Sequence, residues 1–211
     1  MKTMHPALKV LDTPMVSHWL CNLRNKNSSN LLFRHAVELL SQAVFLEAAS
    51  NFDLKKSSFE TPVGPANGYL VNQDFAIVPI LRAGIGMVDP ILRWMPDARV
   101  YHLGACRNHD TLQPEFYYDK LPQDMSKFHC LVLDPMLATG GSALETIRRL
   151  RKSGVRKINF LGLIGSENGV ANLHAEFPDV SITLAALDEE LNNRGYICPG
   201  LGDAGDRFFN T

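Results

Sequence analysis

Apolar residues at Met15, Val16, Trp19, Leu20 and Leu23 fall on one face of an amphipathic helix running from about Pro14 to Arg24. A longer helix is predicted over Asn30 to Ser50, with Leu31, Val37, Leu40, Val44 and Ala48 as its inner face. From Phe52 to Gln73 the period is broken by Pro62, Gly64, Pro65 and Gly68, so the segment reads as turns and short edge strands. Phe75 to Ile80 is the first run with the continuous apolar character of a strand buried on both faces. It leads through Leu81-Arg82-Ala83-Gly84 into helical spacing at Val88, Ile91 and Leu92. Ala98 to Ala105 reads as another strand. Between Cys106 and Pro122, polar residues and Pro114 divide two β-prone pieces, the pattern of a protruding hairpin.

The clearest unit follows. Phe128 to Leu133 is an apolar strand, Asp134-Pro135 ends it, and Thr139-Gly140-Gly141-Ser142 leads into helical spacing at Ala143, Leu144, Ile147 and Leu150. Ser142, or Thr139 if the helix starts earlier, is the expected cap. Ile158 to Ile164 is a strand, Asn168 to Phe177 a short helix and Val180 to Leu187 a further strand. This alternation predicts a parallel sheet with helices on both faces, and the absence of repeats or linkers predicts a single domain over residues 1–211.

Composition narrows the class without assigning a function. The chain has 211 residues, 45% apolar and 20% charged, with a formal net charge of −1. That balance gives no electrostatic argument for a nucleic-acid or membrane partner. The first residues lack a signal peptide's apolar core, and Cys21, Cys106, Cys130 and Cys198 form no C-x-x-C pair. Free thiols in a reducing cytoplasm are the expectation.

Chemistry concentrates in a few loops. Strand, small-residue loop and helix start make a phosphate cradle, because unpaired helical N–H groups point outward and paired glycines admit an anion. No lysine follows the glycines, so a Walker-type nucleotide site is not expected. The carboxylate of Asp134 suits sugar hydroxyls better than a phosphate. Gly84-x-Gly86 lacks the remaining marks of a dinucleotide fingerprint, whereas Arg82 sits where doubly wound folds bind ligands. His109 has no partner in the sequence that lifts it above a solvated residue. Near the C-terminus, glycines, Pro199, Asp203 and Asp206 interleave with Tyr196, Ile197 and Leu201, which predicts an ordered loop offering backbone donors and acceptors.

Four of these pieces together resemble the uracil phosphoribosyltransferase family: Val78-Pro-Ile-Leu-Arg-Ala-Gly84, Arg107-Asn108 with Thr111-Leu112, Asp134 through Ser142, and Gly195 through Asp206. The resemblance implies a type I phosphoribosyltransferase-like fold: a parallel sheet flanked by helices, with a protruding β-hairpin and a C-terminal hood loop. It implies transfer of the phosphoribosyl group from 5-phosphoribosyl 1-diphosphate (PRPP) to uracil, giving UMP and diphosphate, with Mg²⁺. Carried over residue by residue, PRPP would be held by Arg82, Arg107, Asp134, Pro135, Met136, Leu137, Ala138, Thr139, Gly140, Gly141, Ser142 and Asp203. Uracil would be read by Ile197, Gly202, Asp203 and Ala204. Asp203 and Arg107 would be the catalytic residues, Asp203 helping with the uracil N1 proton, and no residues are assigned to a resident metal. The family also suggests a homo-oligomer, dimer or tetramer, and GTP as an effector. A nucleotide-sensing pyrimidine regulator on the same fold and transfer to a different base stay open as alternatives. Departures from the family's pattern are Ser166-Glu167-Asn168-Gly169 for Ala-Pro-Glu-Gly, Asn210 for a glycine, and Thr13-Pro14-Met15 for His-Pro-Leu.

Overall fold

The computed structural model describes residues 7–107 and 114–211, the side chains of residues 106, 107 and 114–116 excepted. The predicted Asn108, His109, Thr111 and Leu112 therefore lie outside the described residues.

The chain opens with β1 (Leu8–Val10), α1 (Pro14–Arg24) and α2 (Asn30–Ala49). Thr13 caps α1 through its hydroxyl, which accepts from the Val16 N–H, and Pro14 sits at the first helical position, where its missing donor costs nothing. The inner face of α2 begins at Phe33, not at the expected Leu31, which is 79% exposed. Six residues separate Leu31 from Val37, whereas Phe33 lies one helical turn before it.

Residues 52–73 also differ from expectation. They form a regular antiparallel hairpin of β2 (Leu54–Thr61) and β3 (Gly64–Val71), paired along its whole length from Leu54 with Val71 to Thr61 with Gly64. Pro62 falls in the turn, and Pro65 is tolerated because a two-stranded ribbon has only edges. The hairpin forms a sheet of its own, separate from the main one.

β4 (Asp74–Leu81) enters the core and runs into a 3₁₀ turn (Ala83–Met87) and the short α3 (Val88–Leu92). The predicted strand at 98–105 is two pieces, β5 (Arg99–Val100) and β6 (Leu103–Arg107), and β7 (Pro114–Asp119) returns antiparallel to β6. Next come β8 (Phe128–Leu133), β9 (Met136–Leu137), α4 (Gly141–Lys152), β10 (Lys157–Ser166), α5 (Glu167–Glu176) and β11 (Ser181–Asp188). The last elements are β12 (Glu190–Leu191), β13 (Ile197–Cys198) and α6 (Ala204–Phe209).

The main sheet runs β1-β11-β10-β8-β4-β6-β7, parallel except for β7. Alternate residues of each central strand feed opposite faces, as strand geometry requires. Phe75 and Ile77 of β4 and Leu131 and Leu133 of β8 pack with Phe33, Leu40 and Val44 of α2. Ala76, Val78, Cys130 and Val132 pack with Ile147 and Leu150 of α4 and Leu173 of α5. Cys130 is buried among these side chains, and burial pushes its thiol up to about 12, so it serves as a core residue. From β4 the chain crosses outward to β6, and from β8 it crosses the other way to β10. The topological switch point lies between β4 and β8, and the loops after those two strands carry Arg82 and Asp134.

Candidate functional site

A cleft of about 990 Å³ opens at this switch point. Arg82, Asp134, the loop Met136–Ser142, Ile197 and Gly202–Ala204 all line it, so segments far apart in the sequence converge here. Pro135 does not line it. Its carbonyl accepts from the Leu163 and Ile164 N–H groups at 3.2 and 3.0 Å, which ties this residue back to β10 instead. Arg107 ends β6, and its side chain is outside the described set.

Neither Ser142 nor Thr139 caps α4. The N-cap is Gly140 in the left-handed region (φ 84°), which makes no side-chain cap hydrogen bond. A glycine adopts that conformation without the Cβ clash other residues meet. The outcome favours ligand binding, because the first-turn N–H groups have no intrahelical partner and the capping residue brings no side chain to compete for them.

Behind this loop stands the start of α5, at one of the family departures. Ser166 is fully buried; its hydroxyl donates to the Ala138 carbonyl at 2.6 Å and accepts from the Gly169 N–H at 2.9 Å. A Cβ on Gly169 would stand 2.4 Å from the Ala138 carbonyl oxygen, so the helix touches the loop backbone to backbone and only glycine fits.

Asp134 sits part-buried on the cleft floor, one carboxylate oxygen accepting from the Met136 N–H at 3.1 Å. Burial, with a smaller contribution from the nearby Asp203 carboxylate, pushes its carboxyl up to about 7. Two facing carboxylates repel until a cation or a hydroxyl-rich ligand comes between them. Among the described residues no three His, Cys, Asp or Glu side chains gather into a metal cage. Asp134 and Asp203 fit a divalent ion that arrives already held by phosphate oxygens, as Mg²⁺ commonly does.

The hood is more than the expected loop, since it contains α6. Asp203 is the N-cap, its carboxylate accepting from the Asp206 N–H at 2.9 Å. Asn210 ends the helix in the left-handed region (φ 61°), a conformation asparagine tolerates in place of the family's usual glycine. Arg82 reaches across the cleft to Asp206 at 2.9 Å, an exposed ion pair that a ligand can compete for. The hood is fixed to the body by Arg24, which grips Asp188 with two hydrogen bonds of 2.7 and 2.6 Å and donates to the Gly200 carbonyl. Asp188 also accepts from the Gly200 N–H, and Arg207 donates to the carbonyls of Leu23, Asn25 and Leu201.

Sequence reasoning missed Tyr117, Asn193, Arg194 and Tyr196, which also line the cleft. Tyr196 lies inside the C-terminal motif, and Asn193 and Arg194 sit directly before it. Tyr117 comes from β7 and carried no local signal.

The comparisons with known proteins agree with this geometry. A family model described as uracil phosphoribosyltransferase matches residues 10–211. The uracil phosphoribosyltransferase of Roseiflexus castenholzii is 51% identical over 198 residues, covering 94% of this chain and 95% of the relative. The solved AQ2163 protein from Aquifex aeolicus superposes with a TM-score of 0.90 at 33% identity, covering 96% of this chain and 97% of that one. An adenine phosphoribosyl transferase from Trypanosoma brucei shares the fold alone, with a TM-score of 0.58 at 10% identity over 89% of this chain and 86% of that one.

Proposed function

This chain belongs to the uracil phosphoribosyltransferase family, and on that premise we propose how its cleft carries out the transfer of a phosphoribosyl group from PRPP to uracil, giving UMP and diphosphate. The observation that carries the reading is the convergence of an uncapped phosphate cradle and a backbone-rich hood on one cleft, with Asp134 and Asp203 both on its walls.

The loop from Met136 to Ser142 holds the ribose 5-phosphate through its backbone N–H groups and the start of α4. Asp134 accepts hydrogen bonds from the ribose hydroxyls. Arg82 and Arg107 lie on the diphosphate, where they offset the negative charge that grows as the bond to C1 breaks. Binding the donor draws Arg82 away from Asp206. Asp134 and Asp203 would hold a Mg²⁺ ion arriving with the donor, which would supply further charge neutralisation. The ribose becomes oxocarbenium-like and would react readily with water. The hood excludes water and holds uracil on the other side of C1.

Uracil presents acceptor, N–H donor and acceptor along one edge. Backbone groups at Ile197, Gly202 and Ala204 complement that order, and cytosine would leave some of them unpaired. Asp203 stabilises the departing N1 proton. A regulator that binds nucleotide without turnover draws no support from the relatives, whose printed names are those of enzymes.

Residues 1–211 are read as one domain acting in an oligomer of like chains. Support for assembly comes from the β2–β3 hairpin, where Leu54, Phe59, Val63, Tyr69 and Leu70 are more than half exposed. A dimer or tetramer is expected by light scattering, and a monomer at micromolar concentration would remove this part. No described helix is long and apolar enough to cross a membrane, and the cytoplasm is the proposed location. GTP as an effector rests on family resemblance. The purified protein is to be incubated with PRPP, Mg²⁺ and competing uracil, cytosine and hypoxanthine, with and without GTP. UMP as the main nucleotide is the expected product; no UMP, or a purine nucleotide, overturns the reading.

A further inference from the structure

The anion cradle has to keep its N–H groups turned toward the cleft before any ligand arrives, and the loop from Leu137 to Gly140 has no regular secondary structure of its own beyond Leu137 to impose that direction. Two side chains of the α5 region do so from behind. The Ser166 hydroxyl donates to the Ala138 carbonyl at 2.6 Å, and the Asn172 amide donates to the Thr139 carbonyl at 3.0 Å. Leu137 through Ser142 line the cleft, whereas no residue of α5 does, so the loop lies between α5 and the ligand.

In a trans peptide the carbonyl of one residue and the N–H of the next point in opposite directions. Among the described residues the only cis peptides are Leu81–Arg82 and Cys198–Pro199, so the peptides after Ala138 and Thr139 are trans. Pulling the Ala138 carbonyl toward Ser166 aims the Thr139 N–H away from α5, into the cleft. Pulling the Thr139 carbonyl toward Asn172 does the same to the Gly140 N–H. Both donors then lie on the side of the loop that faces the cleft, beside the start of α4.

We propose that Ser166 and Asn172 are positioning residues that hold the Ala138 and Thr139 carbonyls away from the cleft and so set its affinity for the 5-phosphate of the donor. The proposal rests on reading this loop as the 5-phosphate cradle, and it deepens that reading by naming what preorganises it. The Ser166 hydroxyl thus carries part of the cradle's support, and Asn172 supplies the second hold from nearly two helical turns further along.

The test compares the full-length protein with Asn172→Ala, Ser166→Ala, the double variant and Ser166→Thr, which keeps the hydroxyl. Steady-state kinetics give kcat and both KM values, calorimetry gives ribose 5-phosphate affinity, and thermal melting reports folding. Loss of one preorganising hydrogen bond is expected to weaken ribose 5-phosphate and raise the KM for PRPP by about five- to tenfold. The KM for uracil should stay within about twofold in each single variant, and Ser166→Thr should restore most of the loss. Asn172 is exposed, so Asn172→Ala tests the idea even if Ser166→Ala folds poorly. The proposal is overturned if Asn172→Ala leaves ribose 5-phosphate affinity unchanged, or if kcat, both KM values and melting temperature shift together. In either case wild-type UMP formation would stand. Failure of the wild type to form UMP would instead remove the functional reading, and this one with it.

Discussion

The phosphate cradle and the C-terminal hood face each other across one cleft, yet they are built in opposite ways. The cradle's ligand-facing residues are local: β8, a few small residues and the start of α4, consecutive in the chain and nearly free of charge apart from Asp134. The hood is non-local. Its turn at Gly200 is held by Arg24 and Asp188, and Arg207 ties α6 to the end of α1 across more than 180 residues of sequence. A phosphate carries its own charge, so a few well-aimed N–H groups suffice to hold it. A neutral base must be recognised by the spacing of donors and acceptors alone, and that spacing needs a rigid frame. The difference suggests that cradle and hood can be weakened separately.

Asp203→Ala gives the largest expected effect, because this residue belongs to both halves. Loss of proton handling and donor contact is expected to lower kcat/KM for uracil by about a thousandfold. Loss of the α6 cap should cost only about 1 kcal/mol of stability, read by thermal melting. Near-normal turnover would remove Asp203 from the chemistry and leave it as a cap.

Arg24→Met attacks the hood alone. It strands a buried carboxylate at Asp188, whose side chain is 6% exposed, and breaking such a pair costs about 3–5 kcal/mol. The KM for uracil should rise well before ribose 5-phosphate affinity changes. Equal loss of both would show that the halves are coupled.

Asp134→Asn separates chemistry from stability in the cradle. Turnover should drop about a hundredfold as the sugar hydroxyls and the cation lose a charge. Stability should move the other way. Because burial raises the Asp134 carboxyl to about 7, the folded chain keeps a proton that the unfolded chain has released. Stability of the ligand-free protein therefore falls as pH rises from about 4 to about 7. The variant loses this slope and is expected to melt higher than the wild type at alkaline pH. Asp206→Asn is the smallest change. It removes an exposed partner of Arg82 and should alter stability by no more than about 1 kcal/mol, while freeing Arg82 for the donor.

The same contrast explains what could be read from the sequence. The cradle's strand was legible to the residue, since Phe128–Leu133 is apolar on both faces and ends at Asp134-Pro135. The hood's residues were legible as a motif, but α6 was hidden because Gly202, Asp203 and Gly205 look like turn chemistry until Asp203 is seen as a cap. The supports were not legible at all. Nothing local links Arg24 to Gly200 or Ser166 to Ala138, because tertiary folding alone brings them together. The β2–β3 hairpin was legible only as turns and short edge strands, because with both faces largely exposed its strands carry no alternation of apolar and polar residues. Pro135 was carried along with its motif, although β10 holds it away from the cleft.

The most direct test of this division is a crystal structure of the protein with UMP bound. The account predicts the phosphate within hydrogen-bond distance of the Thr139, Gly140 and Gly141 N–H groups, and the uracil edge against the backbone at Ile197 and Gly202. A phosphate resting on Arg82, or a base lying in the Thr139–Ser142 loop, would contradict it.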